Sequence, residues 1–76
     1  MSVRLHIELL HWDGALVRAL ALVERRGFRL CGVRTDDRTL VLDVIQRSDG
    51  RSVRNLADQL LKLEDVQSVE RVGNAD

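Results

Sequence analysis

Few side chains in this sequence have the chemistry of a catalytic or metal-binding residue. His6 and His11 lie five residues apart, one in an alternating segment and one in a polar turn, a spacing that matches no common metal site. Cys31 is the single cysteine and has no neighbouring base, so it is more typical of a small half-buried residue than of a nucleophile. We therefore predict a chain with no catalytic residue and no metal site.

The segment best suited to bind a ligand is the turn at Asp13-Gly14, directly before a predicted helix. The N–H groups of Gly14, Ala15 and Leu16 would point out of the helix N-terminus, where a carboxylate or phosphate binds readily. Gly14 would let such a ligand approach the backbone closely. The alternative is that Asp13 caps the helix and satisfies these donors itself. The residue types alone leave both interpretations open and favour the cap.

Six elements must position this turn, and their patterns predict the order β-α-β-β-α-β. Period-two alternation predicts strands over 3–9 and 28–35. A third strand is predicted over 39–47, where apolar residues occupy both parities and Asp43 marks the outward set, and valines at 66, 69 and 72 mark a short last strand. One helix is predicted between Asp13 and Gly27, and another begins after Ser52. Because βαβ crossovers are right-handed, both helices should lie on one face of a four-stranded antiparallel sheet.

The predicted inward faces follow from the same periodicities. In the first helix we expect Leu16, Leu20 and Val23 to face the core, with Trp12 packing on Val17 as a hydrophobic staple. In the second strand we expect two residues to point inward and three outward. The inward pair is Phe28 and Leu30, and the outward residues are Arg29, Cys31 and Val33.

Length and charge limit the classes of function. The 76 residues suffice for one domain with a small core, predicted over 1–76 with a flexible tail at 73–76. Lys and Arg number 12, and so do Asp and Glu, whereas nucleic-acid binders usually carry a basic excess. We interpret the cluster Arg25, Arg26, Arg29 and Arg34 as a solvated face. Nothing on the central strands offers an aromatic platform for RNA bases, so we expect no nucleic-acid partner.

The first strand also bears on location. Residues 3–10 alternate with charges instead of forming the continuous apolar stretch of a signal peptide. No run approaches membrane-spanning length, and one cysteine forms no internal disulfide. We expect a cytoplasmic protein without a membrane partner.

Several motifs resemble a known family. The run 9–16 (Leu9-Leu10-His11-Trp12-Asp13-Gly14-Ala15-Leu16) with Arg18, then Arg26-Gly27-Phe28, is similar to the ACT domain of acetolactate synthase small subunits. Gln59-Leu60, Lys62-Leu63, Asp65-Val66 and Val69 resemble the second helix and last strand of that group. The similarity covers nearly the whole chain and implies an α+β, ferredoxin-like βαββαβ fold.

This resemblance implies a non-catalytic regulatory subunit. Small subunits bind and activate a catalytic subunit of branched-chain amino-acid biosynthesis, and many confer inhibition by valine. The resemblance implies no cofactor in this chain, because thiamine diphosphate, magnesium and flavin (FAD) belong to the catalytic partner. The alternative is a free-standing amino-acid-binding ACT module that regulates another enzyme.

The resemblance also implies a site and an interface. ACT domains pair side by side, often through the second strand, and bind amino acids at the dimer interface. The expected ligand-binding residues are His11, Asp13, Gly14, Ala15, Leu16 and Arg29. The expected homodimer interface consists of Phe28, Arg29, Leu30, Cys31 and Val33.

Two positions and the chain length depart from valine-sensitive relatives. Many of those have asparagine where this chain has His11 and Arg29. Longer small subunits also continue into a second domain, so this chain is similar to the short, one-domain type. The activating role is less affected by these departures than the sensing role.

Overall fold

The computed structural model describes residues 2–46 and 52–75 of the chain. The elements follow the predicted order β-α-β-β-α-β. They are β1 (Ser2–Leu9), α1 (Ala15–Arg25), β2 (Phe28–Asp36), β3 (Thr39–Gln46), α2 (Val53–Leu61) and β4 (Val66–Ala75). The predicted turn at Asp49-Gly50 lies outside the described residues.

The strands form one antiparallel sheet in the order β2-β3-β1-β4. The two central strands, β1 and β3, supply seven of the fifteen buried residues of the core cluster. The α+β, ferredoxin-like fold with two helices on one face of the sheet is confirmed. Among the described strands β2 and β4 are the edges, and each has one side that no neighbouring strand covers.

The core lies between the helices and one sheet face. It is built mainly from Leu, Val and Ile, with Phe28 as the largest buried side chain at 1% exposure. From α1 the buried residues are Ala15, Ala19, Leu22 and Val23. The buried face of α1 therefore differs from the predicted one: Val23 faces the core as expected, but Leu16 and Leu20 are only partly buried at its margin. Small alanines at the sheet-facing positions let the helix backbone approach the sheet closely.

The caps of the helices differ from one another. Ser52 caps α2 as predicted, its Oγ accepting from the Asn55 N–H at 3.1 Å. Gly27 follows α1 with a φ of 85°, the expected left-handed position after a helix. The Trp12–Val17 staple is wrong, because Val17 is 70% exposed. Instead the Trp12 indole Nε1 donates to the Asp37 carbonyl at 2.8 Å and holds the loop before α1 against the β2–β3 turn.

A bulge changes the facing of β2. The pairing with β3 runs Leu30↔Val44 and then Gly32↔Asp43, so Cys31 is the extra residue. After the bulge Val33 pairs with Leu42 and lies on the helix side of the sheet. The prediction that Val33 points outward is therefore wrong, because the bulge at Cys31 moves the residues after it to the other face.

The last strand is longer than predicted. β4 pairs with β1 as far as Ser2↔Ala75, so residues 73–75 belong to the sheet and not to a tail. Asp76 lies outside the described residues. A register shift between Arg4 and Leu5 leaves Val72 without a partner across the ladder, and its side chain is 50% exposed.

On the outer sheet face Arg4 Nε donates to Asp43 Oδ1 at 2.8 Å. This hydrogen bond holds the pKa of Asp43 below its usual value, and the same bond raises the pKa of Arg4. Gly32 lies beside the pair, since a Cβ there would come within 3.1 Å of Asp43 Oδ2. In the described part of the chain, no helix is long and apolar enough to cross a membrane.

Candidate functional site

The turn before α1 adopts a conformation that favours glycine. Gly14 is the N-cap residue and has a φ of 71°, in the left-handed region. A Cβ at this position would lie 2.7 Å from Arg18 Nη1. The Arg18 guanidinium therefore lies beside the exposed Gly14, and a side chain here would have to displace it as well as adopt a left-handed conformation.

The predicted cap by Asp13 is wrong. No side chain caps α1, and Asp13 contributes its backbone carbonyl, which accepts from Arg18 Nη2. Asp13 precedes the N-cap by one position, so its carboxylate does not take the capping role. The interpretation that Asp13 satisfies the helix donors is overturned.

The donors of the first turn are only partly available. The Ala15 N–H donates to the Trp12 carbonyl at 3.0 Å, so this predicted ligand donor is already used. The first bond of helical type runs from the Arg18 N–H to the Gly14 carbonyl at 3.1 Å. The N–H groups of Leu16 and Val17 consequently have no acceptor within the helix, and they form the part of the turn that is suited to an anion.

A buried carboxylate lies beneath the turn. Asp65 is 1% exposed, and its Oδ2 accepts from Arg18 Nε at 2.5 Å and from Arg18 Nη2. Its backbone carbonyl accepts from the Leu10 N–H at 2.8 Å. Asp65 therefore fixes the Arg18 guanidinium over Gly14 and joins the loop after β1 to the segment before β4.

The second oxygen of Asp65 is less well satisfied. His11 Nε2 lies 3.3 Å from Asp65 Oδ1, yet no hydrogen bond reaches that oxygen within the described part of the structure. The His11 side chain is about half exposed. The pair is thus an ionic contact when the imidazole is protonated.

Five of the six predicted ligand residues come together at this turn, namely His11, Asp13, Gly14, Ala15 and Leu16. Arg29 does not join them within one chain. It is exposed at the start of β2 and pairs with Ile45, whereas the turn is tied to the other end of that strand through Asp37. Its place in the site depends on a second copy of the chain and stays a prediction.

Sequence reasoning missed the Arg18–Asp65 pair as part of the site. Both residues belong to the motifs that resemble the family, but they are 47 positions apart. The available signal was the position of Asp65 directly before the apolar Val66, at the entry to a strand. A buried acid needs a charged partner, and its identity required the fold.

The predicted interface is the open edge of β2. Phe28 is buried in the core, so it offers only backbone at this edge, while Arg29, Cys31 and Val33 are exposed. An apolar groove of about 450 Å³ lies alongside, lined by Val17, Leu20, Ala21, Glu24 and Leu30. The α1 flank and the β2 edge together form one apolar surface, and the pairing itself stays a prediction.

A metal-binding site is not found among the described residues. Within residues 2–46 and 52–75, no group of three or more His, Cys, Asp or Glu is arranged to hold a metal ion. The turn instead combines free backbone N–H groups, a fixed guanidinium and an imidazole. Of these groups, the N–H groups of Leu16 and Val17 are the ones left to bind a small carboxylate, because Asp65 already engages the guanidinium.

Comparisons with known proteins agree with this architecture. The ACT domain from GTP pyrophosphokinase of Chlorobium tepidum has a TM-score of 0.77 at 16% sequence identity, over 95% of this chain and 97% of that chain. E. coli aspartokinase III in complex with lysine and aspartate has a TM-score of 0.69 at 17% identity, over 92% of this chain and 17% of that chain. At these identities the likeness shows the fold alone.

The sequence comparison goes further. No curated protein sequence matches this chain. The family profile described as the ACT domain matches residues 11–69. The match covers most of the chain, including the turn at Gly14, Arg18 and Asp65. The chain therefore belongs to the ACT domain family, whose members are small-molecule-binding regulatory modules.

Proposed function

We propose that this chain is a regulatory small subunit that binds and activates the catalytic subunit of an acetolactate synthase. The observation that carries the proposal is the turn over 9–16, with Gly14 in the left-handed region under Arg18. The same residues carry the resemblance to acetolactate synthase small subunits. The Arg26-Gly27-Phe28 link between α1 and β2 supports the assignment.

The chemistry of the reaction belongs to the partner in this proposal. Thiamine diphosphate, magnesium and FAD would reside on the catalytic subunit, and this chain would alter that subunit by contact. The residues that would act are those of its surface and of the turn. The proposed location is the cytoplasm, together with the catalytic subunit.

The second candidate is a free-standing ACT module that regulates another enzyme. It is supported by the two structural neighbours, because similar folds occur in the ACT domain of a GTP pyrophosphokinase and in part of an aspartokinase, two other enzymes. The two candidates share the turn, the dimer and the non-catalytic role. They differ only in the enzyme that is bound.

Capture of the partner separates the two candidates. The tagged chain is co-expressed with the acetolactate synthase catalytic subunit of the same organism and recovered by affinity. We expect a complex that survives gel filtration. Recovery of the chain alone, at concentrations that saturate a micromolar interaction, would leave the second candidate.

We further propose that an amino acid binds only weakly at the turn. Arg18 is held over Gly14 by Asp65, and the Ala15 N–H is already used, so a carboxylate gains few new donors. Calorimetry with valine, leucine and isoleucine should give dissociation constants weaker than about 10 µM. Tighter binding of valine would show that the turn is a competent sensor.

The structure also determines which variant suits this test. Gly14→Asp is unsuitable, because any side chain at φ 71° is strained and would meet the Arg18 guanidinium. Amide chemical shifts of Leu16 and Val17 in the unmodified chain locate weak binding without a substitution. Shifts confined to other segments would contradict the proposed site.

A further inference from the structure

A second surface of the molecule carries a concentrated positive charge. A groove of about 490 Å³ lies between the last turn of α1 and the end of α2. Its lining residues are Leu22, Arg25, Arg26, Gln59, Lys62 and Leu63. Three of the six are cationic and none is acidic, although the chain as a whole has no net charge.

The three cations have no partner in the part of the chain that the structure describes. The ion pairs found there involve Arg4, His11 and Arg18. The nearest acidic residues in sequence are Glu24, Asp58, Glu64 and Asp65, and none of them lines the groove. Glu24 lines the depression beside β2, Asp58 lines the one beside β4, and Asp65 pairs with Arg18. Within residues 2–46 and 52–75, therefore, no ion pair neutralises the charges in the groove.

Helix geometry explains only part of this arrangement. A cation at the C-terminal end of a helix interacts favourably with the helix dipole, which accounts for Arg25 in the last turn of α1 and for Lys62 at the C-cap of α2. It does not account for three like charges from two helices converging on one groove, since they repel each other. This convergence indicates an anionic partner.

The shape of the surface favours a chain segment over a small ion. A second depression of about 130 Å³ shares Arg26 and Gln59 with the first and continues to Ser52 and Asn55 at the start of α2. The floor of the first groove includes Leu63, which is half-buried. An extended surface with apolar and cationic positions fits a segment that alternates apolar and acidic side chains.

We propose that this groove docks an acidic segment of the enzyme that the domain regulates. The inference rests on the proposed function for the identity of that enzyme. The groove shares no lining residue with the apolar flank of α1 and β2. A homodimer formed through that flank would therefore leave both grooves open to the enzyme.

The surface itself is tested with a defined probe. The peptide acetyl-Glu-Leu-Glu-Glu-Leu-Glu-amide is titrated into the full-length, ¹⁵N-labelled chain, with its Gln-for-Glu analogue and inorganic phosphate as comparisons. We expect saturable shifts at the amides of Leu22, Gln59 and Leu63 for the acidic peptide only. Equal binding of the neutral peptide, saturation by phosphate alone, or shifts elsewhere would overturn the proposal.

A matched pair of variants tests the role of charge. The groove variant carries Arg25→Gln, Arg26→Gln and Lys62→Gln. The control variant carries Arg38→Gln, Arg54→Gln and Arg71→Gln, which remove the same charge from other surfaces. The groove variant should bind the peptide at least tenfold more weakly, with the control unchanged. Equal weakening in both would indicate general charge attraction and contradict a specific site.

Capture of the acetolactate synthase catalytic subunit then distinguishes this inference from the proposed function. If the unmodified chain captures no catalytic subunit, the proposed function fails while the peptide result still reports on the groove. If the unmodified chain and the groove variant capture it equally, the docking site proposed here is wrong. We expect capture by the unmodified and control chains and its loss in the groove variant.

Discussion

Arg18 and Asp65 form the pair on which the geometry of the turn depends. Asp65 is 1% exposed, whereas the Arg18 side chain is 48% exposed. Removing Asp65 leaves a cation that water can still reach. Removing Arg18 leaves a buried carboxylate, with only the ionic contact of His11 at 3.3 Å. Replacing Arg18 should therefore lower the stability of the fold more than replacing Asp65.

This difference gives a prediction for stability at neutral pH. Arg18→Met should lower the free energy of unfolding by about 3 kcal/mol, because it leaves an uncompensated buried charge. Asp65→Asn should lower it by about 1 kcal/mol, close to the loss of one hydrogen bond. Urea unfolding measures both, with Arg54→Met on α2 as a control near zero. A larger loss for Asp65→Asn than for Arg18→Met would contradict this account of the site.

At the residue scale the sequence predicted the turn but not its contacts. The type of Gly14 and its place before a helix are local signals, and they located the turn. That Gly14 lets a ligand approach the backbone stays a prediction, since the Arg18 guanidinium lies close to it. The cap by Asp13 was wrong, since the helix begins one residue later than that assignment needs. Arg18 and Asp65 are brought together only by the packing of α1 against the segment before β4, which no local pattern reports.

Among the elements, β2 has the feature that matters most for assembly. Its outer edge has no neighbouring strand in the described chain, and unpaired edges favour pairing with another chain. Val17, Leu20 and Leu30 extend this edge into an apolar flank. Antiparallel pairing of two β2 edges centred on Cys31 would place Arg29 of the partner subunit beside Val33, toward the α1 turn.

This arrangement predicts a homodimer that depends on α1 and β2. The unmodified chain should sediment as a dimer at about 50 µM, as expected for a micromolar interface. Val17→Glu should weaken dimerisation at least tenfold, because it places a charge in the apolar flank. Val72→Glu introduces the same charge near the opposite edge, on β4, and should leave the dimer intact. A monomer for the unmodified chain, or equal effects of the two variants, would contradict the predicted interface.

The elements show clearly where periodicity succeeds and where it fails. The patterns of apolar residues predicted all six elements, by alternation in β1 and β2, by helical spacing in α1 and α2, and by apolar content in β3 and β4. They did not reveal the bulge at Cys31, which shifts the facing of Val33. The neighbouring Gly32 was the available signal, since an isolated glycine within a strand often marks a bulge. The buried face of α1 was also predicted wrongly. Leu16 and Leu20 are more apolar than Ala15 and Ala19, so they were assigned to the core although the alanines are the buried residues.

At the scale of the whole molecule, the surfaces are divided by role. One flank presents the β2 edge, and the turn before α1 presents N–H donors and Arg18. The ends of the helices present three cations that have no partner among the described residues. A chain of 76 residues buries a small core, so contacts with partners add substantially to its stability. This division of surfaces is consistent with a module that acts by binding.

The rate of acetolactate formation tests the central claim most directly. A fixed amount of the catalytic subunit, supplied with thiamine diphosphate, magnesium and FAD, is titrated with the purified chain. We predict a saturable rise in rate, reaching severalfold at an excess of the chain, while the chain alone forms no product. An unchanged rate throughout the titration, with both proteins folded, would contradict the proposal that this ACT domain activates the enzyme.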